Sequence, residues 1–156
     1  MTTTSSLNET RAHASPATLV LAFVAGALAV PIFHQLLYLV LHVAGALPSA
    51  PYRMTPTKPF GVPALLSISF WGGVWGLVFA LTIRRWFDGA AYWVASFFAG
   101  GIALTLVALF IVAPLKTGHM PAAMGGSFAI GFLLNAAWGI GWALLLALFE
   151  RLRAPG

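Results

Sequence analysis

Four apolar stretches, residues 17–47, 61–83, 90–113 and 121–149, run through the chain. Each exceeds the roughly 20 residues that a helix needs to cross a hydrocarbon core. Surfaces this apolar must be covered by charge or by lipid, and charge is scarce. The 156 residues hold eight Lys and Arg and three Asp and Glu, 7% of the chain, against roughly 25% in an ordinary soluble domain. A soluble globular fold is therefore excluded, and the four stretches are expected to be transmembrane helices. The sequence contains no cysteine, which removes disulfides, iron–sulfur clusters, thiolate zinc sites and thiol nucleophiles.

Local signals mark the helix ends. Ser15-Pro16 suits an N-cap and first turn, Asp88-Gly89 opens the third stretch, and Pro121 pre-sets the backbone of the fourth. The first and fourth stretches are too long for a core of about 30 Å, so they must tilt, bend or protrude. Pro31 predicts a bend in the first, because it lacks a donor and crowds the carbonyl of Ala27. The expected layout is a tail over residues 1–16, a membrane domain over 17–153 with an outer loop at 48–62, and a tail at 154–156. The first stretch is about twice the length of a signal-peptide core and is expected to stay attached.

Orientation follows from Lys and Arg beside the stretches. Arg11, Arg84, Arg85, Arg151 and Arg153 fall on one side, and Arg53, Lys58 and Lys116 on the other. This bias predicts that both termini are cytoplasmic. The net charge of +5 forms no stripe on a soluble surface, so anionic headgroups rather than nucleic acid are the expected partner.

The two halves share a weak repeat. Phe23, Ala25, Gly26 and Ala29 match Phe97, Ala99, Gly100 and Ala103, while Lys58, Pro63, Ala64, Ser69 and Phe70 match Lys116, Pro121, Ala122, Ser127 and Phe128. Trp71, Gly72, Trp75, Leu77, Ala80, Leu81 and Arg84 match Trp138, Gly139, Trp142, Leu144, Ala147, Leu148 and Arg151. Each half then reads as a helical hairpin entering from the same side, a parallel repeat about the membrane normal. The halves differ in two places. The first has the outer loop with Pro48, Pro51, Pro56 and Pro59, expected to form an extended, semi-rigid cap. The second inserts residues 129–137, which include Asn135.

Helices in lipid associate through close packing and interhelical hydrogen bonds, so small residues mark their seams. Gly26, Gly72, Gly76, Ala80, Gly131, Gly139 and Ala143 are the candidates. The small residues of the fourth helix rotate through about 200° along its length, which predicts contact with two neighbours. Trp71, Trp75, Trp138 and Trp142 are expected to pack over glycines of neighbouring helices. The alternative is that they wall a quinone or porphyrin site.

Polar groups at membrane depth are functional candidates by default. His34 and Gln35 are expected near mid-depth with Asn135 at the same level, where the first and fourth helices could share a hydrogen bond, and Tyr38, four residues beyond His34, is a further polar candidate. His34 and His42 stand about 12 Å apart along one helix flank and cannot ligate one metal together. A further alternative is a b-type haem held between His42 and His119 on different helices. For transport, Glu9, Asp88 and Glu150 all lie outside the spans. That leaves His34 as the titratable group at depth, with Arg53, Lys58 and Lys116 at the outer mouth. No nucleophile, base and orienting group can be assembled into a catalytic set.

Phe33-His34-Gln35, Pro59-Phe60-Gly61-Val62-Pro63 and Phe70-Trp71-Gly72-Gly73-Val74-Trp75-Gly76 resemble a group of small four-span bacterial inner-membrane proteins. The resemblance covers mainly the first half. It implies a bacterial inner membrane and the four-span topology, and brings no activity or site residue with it. The combined expectation is an all-α polytopic membrane protein, built as two parallel helical hairpins, with no cofactor and no enzymatic activity. Its expected role is an accessory or scaffold subunit, partnered by the bilayer and by a membrane protein or a second copy. The alternatives are a small-solute transporter or channel-like protein, and a haem or quinone carrier.

Overall fold

A computed structural model describes residues 15–120 and 124–153. Its four long helices are α1 (Pro16–Val43), α2 (Ala64–Trp86), α3 (Gly89–Thr117) and α4 (Met124–Arg153), all long and apolar enough to cross a membrane. The fold is that of an all-α, multi-pass membrane protein. The expectations for the tails at 1–14 and 154–156, including Glu9 and Arg11, and for Pro121 lie outside the described residues.

α1 starts as its sequence signals require. The Ser15 side chain accepts the Thr18 N–H at 3.2 Å, and Pro16 occupies the first turn. At Pro31 the helix opens into a π turn over Val30–His34, closed by the Gln35 N–H to the Val30 carbonyl. The proline's missing donor is thus absorbed by local rewinding. α1 stops at Val43, short of the expected residue 47. Gly45 takes a left-handed φ of 78°, while its N–H bonds the His42 carbonyl and the Ala46 N–H bonds that of Leu41. This is a Schellman termination, and only glycine adopts that backbone without cost.

The outer loop is more ordered than a plain extended cap. Pro56–Thr57 (β1) pairs antiparallel with Val62–Pro63 (β2), with Pro56 opposite Pro63 and Thr57 opposite Val62. The Thr57 hydroxyl donates to the Val62 carbonyl at 2.8 Å, and Gly61 turns the hairpin at φ 70°. α2 therefore begins at Ala64 rather than at residue 61. The loop itself caps it: the N–H groups of Ala64 and Leu65 donate to the carbonyls of Thr55 and Arg53. These are donors that a helix start otherwise leaves unsatisfied. α2 breaks at Thr82, whose hydroxyl donates to the Val78 carbonyl at 2.7 Å, and resumes as Ile83–Trp86. α3 carries two further π turns, Gly100–Leu104 and Ala108–Val112. It ends at Gly118, with φ 79°.

α1 packs on α2 and α4, and α4 packs on α1 and α3. The seams are glycine contacts. A methyl group at Gly26 would strike the Gly72 carbonyl oxygen, and one at Gly76 the Ala22 carbonyl oxygen. In the second hairpin a methyl at Gly139 would strike the Ser96 carbonyl oxygen, and one at Gly100 that of Asn135. Contact for contact, Gly139 thus stands where Gly76 stands in the first hairpin, one helical turn from the Gly72 position that the sequence match pairs it with. Gly131 meets the Thr105 methyl, while Ala80 and Ala143 are buried.

Candidate functional site

Polar groups gather at two levels: the loop face, where α1 meets the outer loop, and the terminal face, where α2, α3 and α4 meet near residues 84–93 and 150. On the loop face, the Gln35 carbonyl oxygen accepts the Tyr52 N–H at 2.9 Å, and its amide lies 3.4 Å from His34 Nδ1. The Tyr52 hydroxyl donates to the Pro31 carbonyl in the π turn at 3.0 Å. Higher on α1, the hydroxyls of Tyr38 and Ser49 are 2.6 Å apart, and His42 Nδ1 is bonded to the Leu47 carbonyl at 2.8 Å. One face of α1 is thereby stitched to the loop.

This placement revises the expected depth. Gln35 lies about 13 Å along α1 from Gly26, and the first turn of α2 lies about 15 Å from the Gly72–Gly76 level. Gln35 therefore stands beside the start of α2, not at mid-span. The bonds of Tyr52 to Gln35 and of Leu65 to Arg53 say the same. Asn135 does not join this group. Its amide donates to the Thr105 hydroxyl at 2.9 Å and so belongs to the α3–α4 seam. The expected α1–α4 bridge through His34, Gln35 and Asn135 is replaced by two separate sets, because the rotation of α4 turns Asn135 toward α3. Thr105, fully buried, is the partner that sequence reasoning did not single out.

The bundle centre is filled by Trp138 and Trp142, both almost wholly buried, with Phe79 edge-on to each at 5.3 and 5.4 Å. Trp138 Nε1 lies beside Gly72 and donates to the Gly26 carbonyl at 2.8 Å, while Trp142 Nε1 lies beside Gly76. These two rings do pack over glycines. Trp71 does not: it is 58% exposed and stands edge-on to Phe70 of its own helix. His119 lies exposed after α3, where its N–H bonds the Thr117 hydroxyl. Arg53, Lys58 and Lys116 are exposed on the loop face. Among the described residues, no three His, Asp or Glu side chains group as metal ligands.

On the terminal face Arg84 Nη2 and Nε donate to the Glu150 carboxylate at 2.9 and 3.3 Å, a forked pair joining α2 to α4. Beside it is a cleft of about 200 Å³ lined by Arg84, Asp88, Glu150, Phe87, Tyr92 and Trp93, with Gly89 and Ala147. In the sequence, Arg84 serves as a topology marker and as a member of the repeat, with no partner assigned to it. Both partners were visible at span ends, yet a sequence separation of 66 hid the pairing. Such a structure defines a class, an α-helical membrane bundle with a packed axis and a loop tied to one face. No family model, curated protein or solved structure matches the chain.

Proposed function

We propose that this protein is a non-enzymatic accessory or scaffold subunit of a membrane assembly, with its ordered outer loop as the surface offered to a partner. Its setting is a bacterial inner membrane with both termini cytoplasmic, supported by the Lys and Arg bias. The observation that carries the role is the loop itself. It is held to α1 and α2 by Gln35, Tyr38, His42 and the α2 N-terminus, yet at its hairpin it leaves Phe60 87% exposed. An aromatic side chain held out on a rigid support has little ordering entropy left to lose on docking. The buried Trp138 and Trp142 on the bundle axis favour this reading over a solute path.

The test is isolation of the full chain in mild detergent. A stoichiometric partner should copurify, be lost when residues 51–60 are replaced by a Gly/Ser linker, and be weakened by Phe60→Ala. A folded monomer that never carries a partner overturns the role. A Soret band abolished by His42→Ala or His119→Ala would replace it with the redox reading.

A further inference from the structure

We propose that residues 47–52 of the outer loop form a strap that opens away from α1 while the rest of the fold stays in place, with Tyr52 as its latch. Three observations meet at this point. The first is that the strap has no backbone ladder. On either side of it the loop is held main chain to main chain, by the Gly45 and Ala46 N–H groups to α1 and by the Thr55 and Arg53 carbonyls to the start of α2. Among the described residues, none of 47–52 makes a backbone–backbone hydrogen bond. The segment is held instead through side chains of α1, with Tyr38 bonded to the Ser49 hydroxyl, His42 to the Leu47 carbonyl and Gln35 to the Tyr52 N–H. A segment fixed in this way opens at far lower cost than the helices it joins.

The second observation is strain at the latch. Tyr52 has a φ of 54° and is the one non-glycine residue with a positive φ among those described. A side chain adopts this left-handed backbone only against a steric cost, which its surroundings must offset. The offset is two bonds to α1, from the Tyr52 N–H to Gln35 Oε1 at 2.9 Å and from its hydroxyl to the Pro31 carbonyl at 3.0 Å. Release of both returns Tyr52 to ordinary backbone angles, so the latch is loaded toward opening.

The third is what the latch grips. Pro31 lies in the π turn of α1, and the Gln35 N–H closes that turn. Single π turns inside α-helices are frequent at functional sites. The Gln35 side chain is buried under the strap. At mid-span its amide would be uncovered into hydrocarbon, which would keep the strap shut. Beside the start of α2 it meets the water of the headgroup layer instead, and both states are accessible. Gln35, Tyr38 and His42 follow one another at three and four residues, so opening presents them as a polar row along one face of α1. Opening belongs to this chain alone and holds whether or not a partner docks at Phe60.

The experiment uses fluorine NMR of the full-length protein in nanodiscs of equal phosphatidylethanolamine and phosphatidylglycerol. The chain has no cysteine. Ala50→Cys, at an exposed position in the strap, therefore gives a single attachment point for a trifluoromethyl tag, and in a second protein Val62→Cys gives a reference on β2 of the hairpin. The strap tag should show a major closed and a minor open signal, and the hairpin tag one signal. Tyr52→Phe, which removes only the hydroxyl bond, should raise the open-to-closed ratio about fivefold. Gln35→Leu, which leaves the Tyr52 N–H without its acceptor in the closed state, should raise it about thirtyfold. Neither should split the hairpin signal, and Tyr52→Phe keeps the test decisive should the Gln35 variant not fold. A strap signal that responds to neither substitution in folded protein, or a hairpin signal that splits together with it, overturns the proposal.

Discussion

The loop face and the terminal face treat their polar side chains in opposite ways. On the loop face Gln35, Tyr38 and His42 are each answered by the loop that folds over them. On the terminal face Arg84 and Glu150 answer each other, and with Asp88 they border an open cleft. Polar groups near a membrane boundary can therefore be spent on fixing the chain's own architecture or left facing an opening. The difference lies in the length of the connection. The loop between α1 and α2 is long enough to return and bond to the helix it left, whereas only Phe87 and Asp88 join α2 to α3.

The contrast can be broken in order of effect. Gly26→Val should act on both faces at once, because its side chain would enter the Gly72 backbone and part α1 from α2. A loss of about 3 kcal/mol is expected, the upper range for overpacking, read as a collapse of thermal stability in detergent. Gln35→Leu should act on the loop face alone. It leaves the Tyr52 N–H without its acceptor, at a cost of about 2 kcal/mol, and protease cleavage within residues 47–60 should accelerate while α3 and α4 stay protected.

Smaller effects sharpen the comparison. A double-mutant cycle on Thr105→Val and Asn135→Leu should return a coupling of about 0.6 kcal/mol, the average for hydrogen bonds between membrane helices, and leave both faces untouched. Arg84→Gln should cost only about 0.5 kcal/mol, since its pair with Glu150 is partly open to solvent. Loss of that pair should let the protein melt slightly earlier in detergent while the loop face stays protected. A large destabilisation by Arg84→Gln would mean that the terminal face is held as firmly as the loop face.

Particular residues show where legibility stops. Ser15, Pro16 and Pro31 announced the start of α1 and its irregular turn, since capping and a missing donor act within a few residues. Gly45 carried an equally local stop signal, and giving it due weight would have ended α1 where the structure does. The hairpin at Pro56–Pro63 was hidden because strands of two residues have no periodicity to read. The pairing of Asn135 with Thr105 rather than with α1 depended on a rotation that no spacing within α4 specifies.

Composition alone decided that this chain would form four long helices in lipid, because a hydrocarbon environment leaves backbone donors and acceptors no partners but their own segment. Which helices touch, and which polar groups meet, was left to the bundle. Small residues occupy several sides of α4, and each side permits close approach, so sequence spacing allows more than one rotation and register. Only the simultaneous fit of Trp138 and Trp142 over the α1–α2 glycines and of Gly139 against Ser96 selects one arrangement, and with it the closed loop face and the open terminal one.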